Sequence, residues 1–321
     1  MVRVAVLDDY QRLASTWAAW DSLGSEVDVE FFHEPIGEDE LVERLTGFDV
    51  LVLMRERTRL GREVLERLPA LQLVVTTGMS NASLDIAYLR EHGVMVAGTG
   101  PVGGAAGGVP GPAEVAWALI LALSKRVVIE DRALRDGRWQ TGIPFDLAGA
   151  TLGLAGLGRL GAAMVRPARA FGMDVIAWSQ NLRSERAAEL GVEAVTKDEL
   201  LERSDVLSIH LVISDRTRDL FGAAELALMK PTAVLVNTSR GPIVTEAALV
   251  EALRSGTIAA AGLDVYDREP LPPHHPLTTL ENVILLPHLG YVSEPTMRHM
   301  YGQVVEDIAA WRSGSPLRAI N

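Results

Sequence analysis

Short apolar, β-branched runs alternate with amphipathic stretches along the whole 321-residue chain. Val2–Leu7, Val27–Phe32, Val50–Met54, Leu73–Thr76 and Val94–Ala97 read as strands, with helices over Glu38–Leu45 and Leu84–His92 among them. A second series follows at Thr151–Ala155, Asp174–Trp178, Val206–Leu211, Ala233–Asn237, Ala260–Leu263 and Val283–Leu286. Continuous apolar runs of this length are buried on both faces, which implies parallel sheets covered by helices on each side. The expected class is α/β with two domains. Pro295–Leu317 reads as a helix returning from the second domain to the first.

One turn gives the second series its chemistry. Gly156-Leu157-Gly158-Arg159-Leu160-Gly161 follows the apolar run Ala150–Ala155 and precedes a helical stretch from Ala162. A strand, glycine turn and helix place free backbone N–H groups at the positive end of a helix dipole, where a pyrophosphate can sit. Gly156 permits the tight turn, Gly158 the approach of backbone to phosphate, and Gly161 close packing of helix on strand. Both domains are therefore expected to be Rossmann-like or flavodoxin-like. The nucleotide-binding domain spans 98–290, inserted between 1–97 and 291–321, which form the other domain. Gly100–Gly111 is too glycine-rich to pack as an element, and reads either as a flap or as a plain connector.

Composition narrows the options. A net charge of −12 with no Lys/Arg run excludes a nucleic-acid surface. The absence of cysteine removes disulfides, thiolate catalysis and thiolate metal sites. The adjacent His274 and His275 lack ligand partners at metal spacing, so no metal is expected. The most apolar helix, around Val115–Leu123, is well short of the ~20 residues needed to span a bilayer. A cytoplasmic protein with no membrane partner is the expectation.

Four motifs in order, Gly156–Gly161, Val236-Asn237-Thr238-Ser239-Arg240-Gly241, Gly262-Leu263-Asp264-Val265 leading to Glu269-Pro270, and Pro287-His288-Leu289-Gly290, resemble the D-isomer-specific 2-hydroxyacid dehydrogenases. The resemblance covers nearly the whole chain. It implies NAD or NADP as cofactor, a small 2-keto or 2-hydroxy acid as substrate, and an active site in the interdomain cleft. His288 takes the acid/base position, which suits an imidazole whose ordinary pKa lies near ~6.5. Glu269 is the matching acid on the other ring nitrogen. Arg240 is the anchor for the substrate carboxylate, since guanidinium offers a planar fork of donors. Arg159, Leu160, Thr238, Ser239 and Gly290 fall on the cofactor side. His210 sits either on the cofactor or in the core. Asp264 is either a cofactor-side carboxylate or a cap or turn residue.

The chain departs from the family in two places. Ser179 stands where an aspartate would accept the ribose hydroxyls, followed by Asn181 and Arg183. Arg183 suits a 2′-phosphate, and all three suit a plain ribose, so the choice between NAD and NADP stays open. The substrate loop reads Thr77-Gly78-Met79-Ser80-Asn81, in which backbone N–H groups at Gly78 and Met79 suit a carboxylate. Arg55 and Arg57 end a strand on that side, as readers of a second anion or as solvated charge. The helix Pro112–Leu123 is apolar nearly all round, which suggests either a homodimer interface or burial between the two domains. A relative that senses the nucleotide as a corepressor, without turnover, is the alternative reading. The retained Arg240, Glu269 and His288 speak against it.

Overall fold

The computed structural model describes residues 1–101 and 110–321. Most of the Gly100–Gly111 segment thus lies outside the described residues. The chain divides into two compact units, Met1–Gly103 with Ser293–Asn321, and Gly104–Val292.

The first unit is a parallel five-stranded sheet of β1 (Val2–Val6), β2 (Val27–Phe31), β3 (Val50–Leu53), β4 (Leu73–Thr76) and β5 (Met95–Gly98), in the order β2-β1-β3-β4-β5. Ala5, Leu7, Leu51, Leu53, Val74 and Val96 bury one face against Leu41, Leu45, Phe48, Leu60 and Leu89. The helix Glu294–Arg312 packs on β4 and β5, and its Tyr301 stacks on Trp17 at 6.0 Å. The order reverses between β1 and β3, and such a reversal opens a crevice beyond the carboxyl ends of the strands.

Several element ends differ from the sequence expectation for identifiable reasons. The helix expected over Leu84–His92 starts at Ile86, because the Asp85 carboxylate caps it by accepting the Tyr88 N–H at 2.9 Å. The C-terminal helix stops at Arg312 and not at Leu317, where Gly314 turns with φ of 74° and Pro316 cannot continue it. The tail then runs back along β5, with Ile320 N–H donated to Val96 O at 2.8 Å.

The second unit is a parallel seven-stranded sheet of β6 (Thr151–Ala155), β7 (Asp174–Trp178), β8 (Glu193–Ala194), β9 (Val206–Ile209), β10 (Val234–Asn237), β11 (Ala260–Leu263) and β12 (Val283–Leu285), in the order β12-β11-β10-β9-β6-β7-β8. The edge strand β8 carries no apolar run, which is why the sequence pattern missed it. The order reverses at β6, which places the glycine turn at the switch point. The helix Gly111–Ser124 lies on β10 and β11, where a Cβ at Gly262 would come within 3.0 Å of Leu119 Cβ. Its apolar faces are therefore largely used inside its own unit. Exposed apolar side chains lie further on, with Trp139 at 76% and Ile143 at 94% exposure. No helix among the described residues is long and apolar enough to cross a membrane.

One buried acid makes stability depend on pH. Asp307 Oδ1 accepts the Arg318 Nε–H at 3.0 Å, while its buried Oδ2 has no hydrogen-bond partner among the described residues. Burial raises its carboxyl to about 6, with the Arg318 charge opposing. A raised folded-state value means the contribution to stability is full below the unfolded value and is lost as pH rises through about 6. Asp307→Asn keeps an acceptor for Arg318 and removes the titration. Thermal unfolding should show this variant gaining on the parent as pH rises from about 4 to about 7. A difference independent of pH would contradict the assignment.

Candidate active site

Three adjacent strands deliver the candidate catalytic residues at their carboxyl ends. β10 leads into Thr238-Ser239-Arg240, β11 into Asp264-Val265-Tyr266 and on to Glu269, and β12 into Pro287-His288. His288 Nδ1 and Glu269 Oε2 stand 2.6 Å apart, and Glu269 Oε1 accepts the Tyr266 N–H at 3.0 Å. The carboxylate is thus held on both oxygens and faces the ring nitrogen directly. His288 has φ of 55°, a left-handed conformation that a non-glycine residue keeps only when its surroundings enforce it.

Those surroundings are the Asp264 carboxylate. Its Oδ1 accepts the Leu289 N–H at 2.6 Å and its Oδ2 the Gly290 N–H at 2.8 Å. The side chain is fully buried, and burial raises its carboxyl despite the two N–H donors. Of the two roles considered for Asp264, the structure displays the turn role. The Tyr266 hydroxyl donates to Leu286 O at 2.8 Å, tying the β11 and β12 ends together.

Arg240 is set by a braced turn. Asn237 accepts the Ser239 N–H at 3.0 Å and donates to Arg240 O at 2.9 Å, while the Ser239 hydroxyl donates to Leu211 O. Arg240 Nη1 donates to Ser239 O at 2.8 Å. The next residue must be glycine, because a Cβ on Gly241 would come within 2.1 Å of the Tyr266 carbonyl carbon. That close approach brings the Arg240 turn against the segment carrying Glu269.

The glycine turn lies across the switch point, on the other side of β9. Gly156 has φ of 101°, and a Cβ there would lie 2.7 Å from His210 O. A Cβ on Gly161 would lie 2.0 Å from Gly156 O. Over Gly158 a Cβ would meet nothing within 4 Å, so the space above this residue is open. The helix begins at Arg159, earlier than the sequence suggested, with Gly158 as its N-cap and no side chain capping it. Its first N–H groups are the orphans that an anion satisfies. A cavity of about 350 Å³ opens here, lined by Gly156, Gly158, Ser179, Asn181, Arg183, Arg186 and His210 among others. Burial pushes the His210 imidazole down to about 4, and its Nε2 lies 2.9 Å from Ser208 Oγ. The Thr238 hydroxyl is buried without a hydrogen-bond partner among the described residues. An open turn, uncapped helix N–H groups and an orphaned hydroxyl fit a nicotinamide dinucleotide.

In the first unit, Asp8, Arg55 and Gly78 have φ of 62°, 56° and 115° at the ends of β1, β3 and β4. The Arg55 guanidinium lies on the Gly78 backbone, where a Cβ would come within 2.3 Å of Nη1. Of the two N–H groups expected to meet a carboxylate, Gly78's is already donated to Thr99 Oγ1 at 2.9 Å. Met79, 47% exposed, keeps its N–H without an acceptor among the described residues. The Asp8 carboxylate accepts from Tyr10 and Thr58, and Arg57 stacks on the Tyr10 ring at 4.7 Å.

Sequence reasoning missed Arg186, which lies in the first turn of the helix Ser184–Glu189, after its N-cap Arg183, and lines the same cavity. It also missed Tyr291, whose ring meets His288 edge-on at 5.2 Å, and Asn237, whose only sequence signal was its place inside a recognised motif. Among the described residues no group of three or more His, Cys, Asp or Glu side chains stands ready to hold a metal. His275 pairs instead with Glu246 at 2.9 Å.

Residues 117–290 match the family described as D-isomer specific 2-hydroxyacid dehydrogenase, NAD binding domain. A glyoxylate reductase of Korarchaeum cryptofilum is 37% identical over 300 residues, 90% of this chain and 87% of that protein. A D-3-phosphoglycerate dehydrogenase of Archaeoglobus fulgidus is 33% identical over 301 residues, 93% of this chain but 55% of that longer protein. Among solved structures, a phosphoglycerate oxidoreductase from Vibrio cholerae O395 superposes with a TM-score of 0.89 at 34% identity, covering 98% of this chain and 100% of that one. The chain therefore belongs to the D-isomer specific 2-hydroxyacid dehydrogenases, oxidoreductases that use NAD or NADP on the CH–OH group of their donors.

Proposed function

We propose that His288 is the acid/base of hydride transfer at C2 of a small D-2-hydroxy acid or 2-keto acid, with Glu269 orienting it and Arg240 anchoring the substrate carboxylate. The observation that carries this reading is the 2.6 Å contact between His288 Nδ1 and Glu269 Oε2. With Nδ1–H donated to the carboxylate, the tautomer is fixed and Nε2 is left to take the hydroxyl proton during oxidation. In reduction the same atom returns a proton to the carbonyl oxygen. The adjacent carboxylate stabilises the imidazolium that forms during oxidation.

When bound, the nicotinamide accepts or supplies the hydride. Gly156, Gly158, Arg159, Leu160 and Gly161 would receive the pyrophosphate, with Ser179, Asn181 and Arg183 at the adenosine ribose. His210, Thr238, Ser239 and Gly290 would serve the remainder, with His210 neutral at pH 7 and so adding no charge. Asp264 would act on that side through the Gly290 backbone it holds. For the first unit taken by itself, we propose Arg55 and the Met79 N–H as donors to an anion, with Gly78 supplying the turn. Relatives that are glyoxylate reductases and D-3-phosphoglycerate dehydrogenases suggest a short 2-keto acid.

We further propose a homodimer, with the exposed Val127, Leu134, Trp139 and Ile143 of the second unit covered by a second copy.

His288→Asn should lower kcat on glyoxylate or hydroxypyruvate by roughly 10²- to 10⁴-fold while dinucleotide affinity changes little. Glu269→Gln should cost less than His288→Asn and act mainly on kcat. Undiminished turnover in His288→Asn would remove the imidazole from the mechanism. Sedimentation equilibrium should give the mass of two chains for the parent, and Ile143→Glu should shift the protein toward one. A parent sedimenting as a single chain would contradict the dimer.

A further inference from the structure

The adenosine end of the nucleotide cavity carries a charge pattern that the reaction itself does not require. β7 ends at Trp178, and the next residue, Ser179, occupies the place from which a carboxylate would accept ribose hydroxyls. Arg183 and Arg186 line the same cavity, and no Asp or Glu lines it among the described residues. The chain has 42 acids against 30 Lys and Arg, so two guanidiniums with no lining acid run against its overall balance. The Arg186 side chain is partly committed, with Nη1 donating to Glu189 Oε2 at 2.7 Å. Arg183 has no ion pair or side-chain hydrogen bond among the described residues, which leaves its donor fork available.

We propose that this cavity selects NADP(H) over NAD(H), with Arg183 as the main donor to the 2′-phosphate, Arg186 beside it, and Ser179 removing the repulsion an acid would exert. The proposal rests on the dehydrogenase reading and deepens it at one subsite. A guanidinium presents several N–H donors to a phosphate that carries nearly two negative charges, and such charge-assisted bonds are the strong ones. NAD carries only a hydroxyl there and draws on the neutral Ser179 and Asn181. Arg183 is exposed, so little desolvation opposes the contact, but salt screens it. The gap between the two dinucleotides should therefore narrow as ionic strength rises.

Calorimetric titration of the whole protein with NADPH, NADH, 2′,5′-ADP and 5′-ADP tests this without relying on turnover. The expected result is NADPH tighter than NADH by roughly 10- to 100-fold, with 2′,5′-ADP tighter than 5′-ADP in the same direction. Arg183→Gln should narrow the gap because NADPH loses more than NADH, and Ser179→Asp should reverse the order. Equal affinities, tighter NADH, or an Arg183→Gln variant that weakens both dinucleotides alike would overturn the proposal while leaving the dehydrogenase intact. Failure to bind either dinucleotide would overturn it together with the reading on which it rests. The paired adenosine fragments in the parent protein keep the test decisive even if a variant misfolds.

Discussion

Two backbone N–H groups, those of Leu289 and Gly290, converge on the buried Asp264 carboxylate, and the candidate site at this end of the second unit depends on that contact. It fixes the chain immediately after His288, where the backbone is held left-handed. With the backbone fixed, Glu269 needs only one short contact to set the imidazole, and the Tyr266 N–H holds Glu269 in turn. Removing the carboxylate would leave the buried Gly290 N–H unpaired, a cost of about 1–3 kcal/mol, and the half-buried Leu289 N–H without this acceptor. The close approach of Gly241 to the Tyr266 backbone brings the Arg240 turn to the same place. Arg240, Glu269 and His288 are therefore positioned by contacts between side-chain carboxylates and backbone N–H groups and by close backbone packing.

The same logic recurs wherever a strand ends in this protein. Parallel strands finish together, and their last residues leave N–H groups and side chains beyond the sheet, where no ladder satisfies them. In the second unit the sheet splits that surface in two, with the glycine turn after β6 and Arg240, Glu269 and His288 after β10, β11 and β12. In the first unit, positive φ at Asp8, Arg55 and Gly78 marks the equivalent ends of β1, β3 and β4. Backbone strain of this kind persists where the surrounding contacts over-determine it, as the Thr99 bond to Gly78 and the Tyr10 and Thr58 bonds to Asp8 do.

Much of this was legible in the sequence because the information is local. Apolar runs such as Leu73–Thr76 and Ala260–Leu263 located strands to the residue, since burial on both faces leaves no polar position to blur the edges. The glycine turn was readable because steric demands at Gly156 and Gly161 admit no other residue. What was not legible depends on partners distant in the chain. Thr99, 21 residues beyond Gly78, takes the N–H that a loop reading leaves for substrate. Asp264 could be read as facing a cofactor or a turn, and only the fold shows it gripping a turn 25 residues away. The apolar helix Gly111–Ser124 gave no sign of which face meets its own sheet, and only the fold shows Gly262 opening a seat for Leu119 there.

Hydride transfer to C2 with the proton handled by His288 is the reaction we propose for this protein. Supplying a short 2-keto acid with a reduced nicotinamide cofactor deuterated at the transferring C4 position follows that hydride directly. Mass spectrometry and chiral chromatography of the product should find a D-2-hydroxy acid with one deuterium at C2, formed by the parent and almost abolished in His288→Asn. Product without deuterium, product of L configuration, or unchanged formation in the variant would contradict the account.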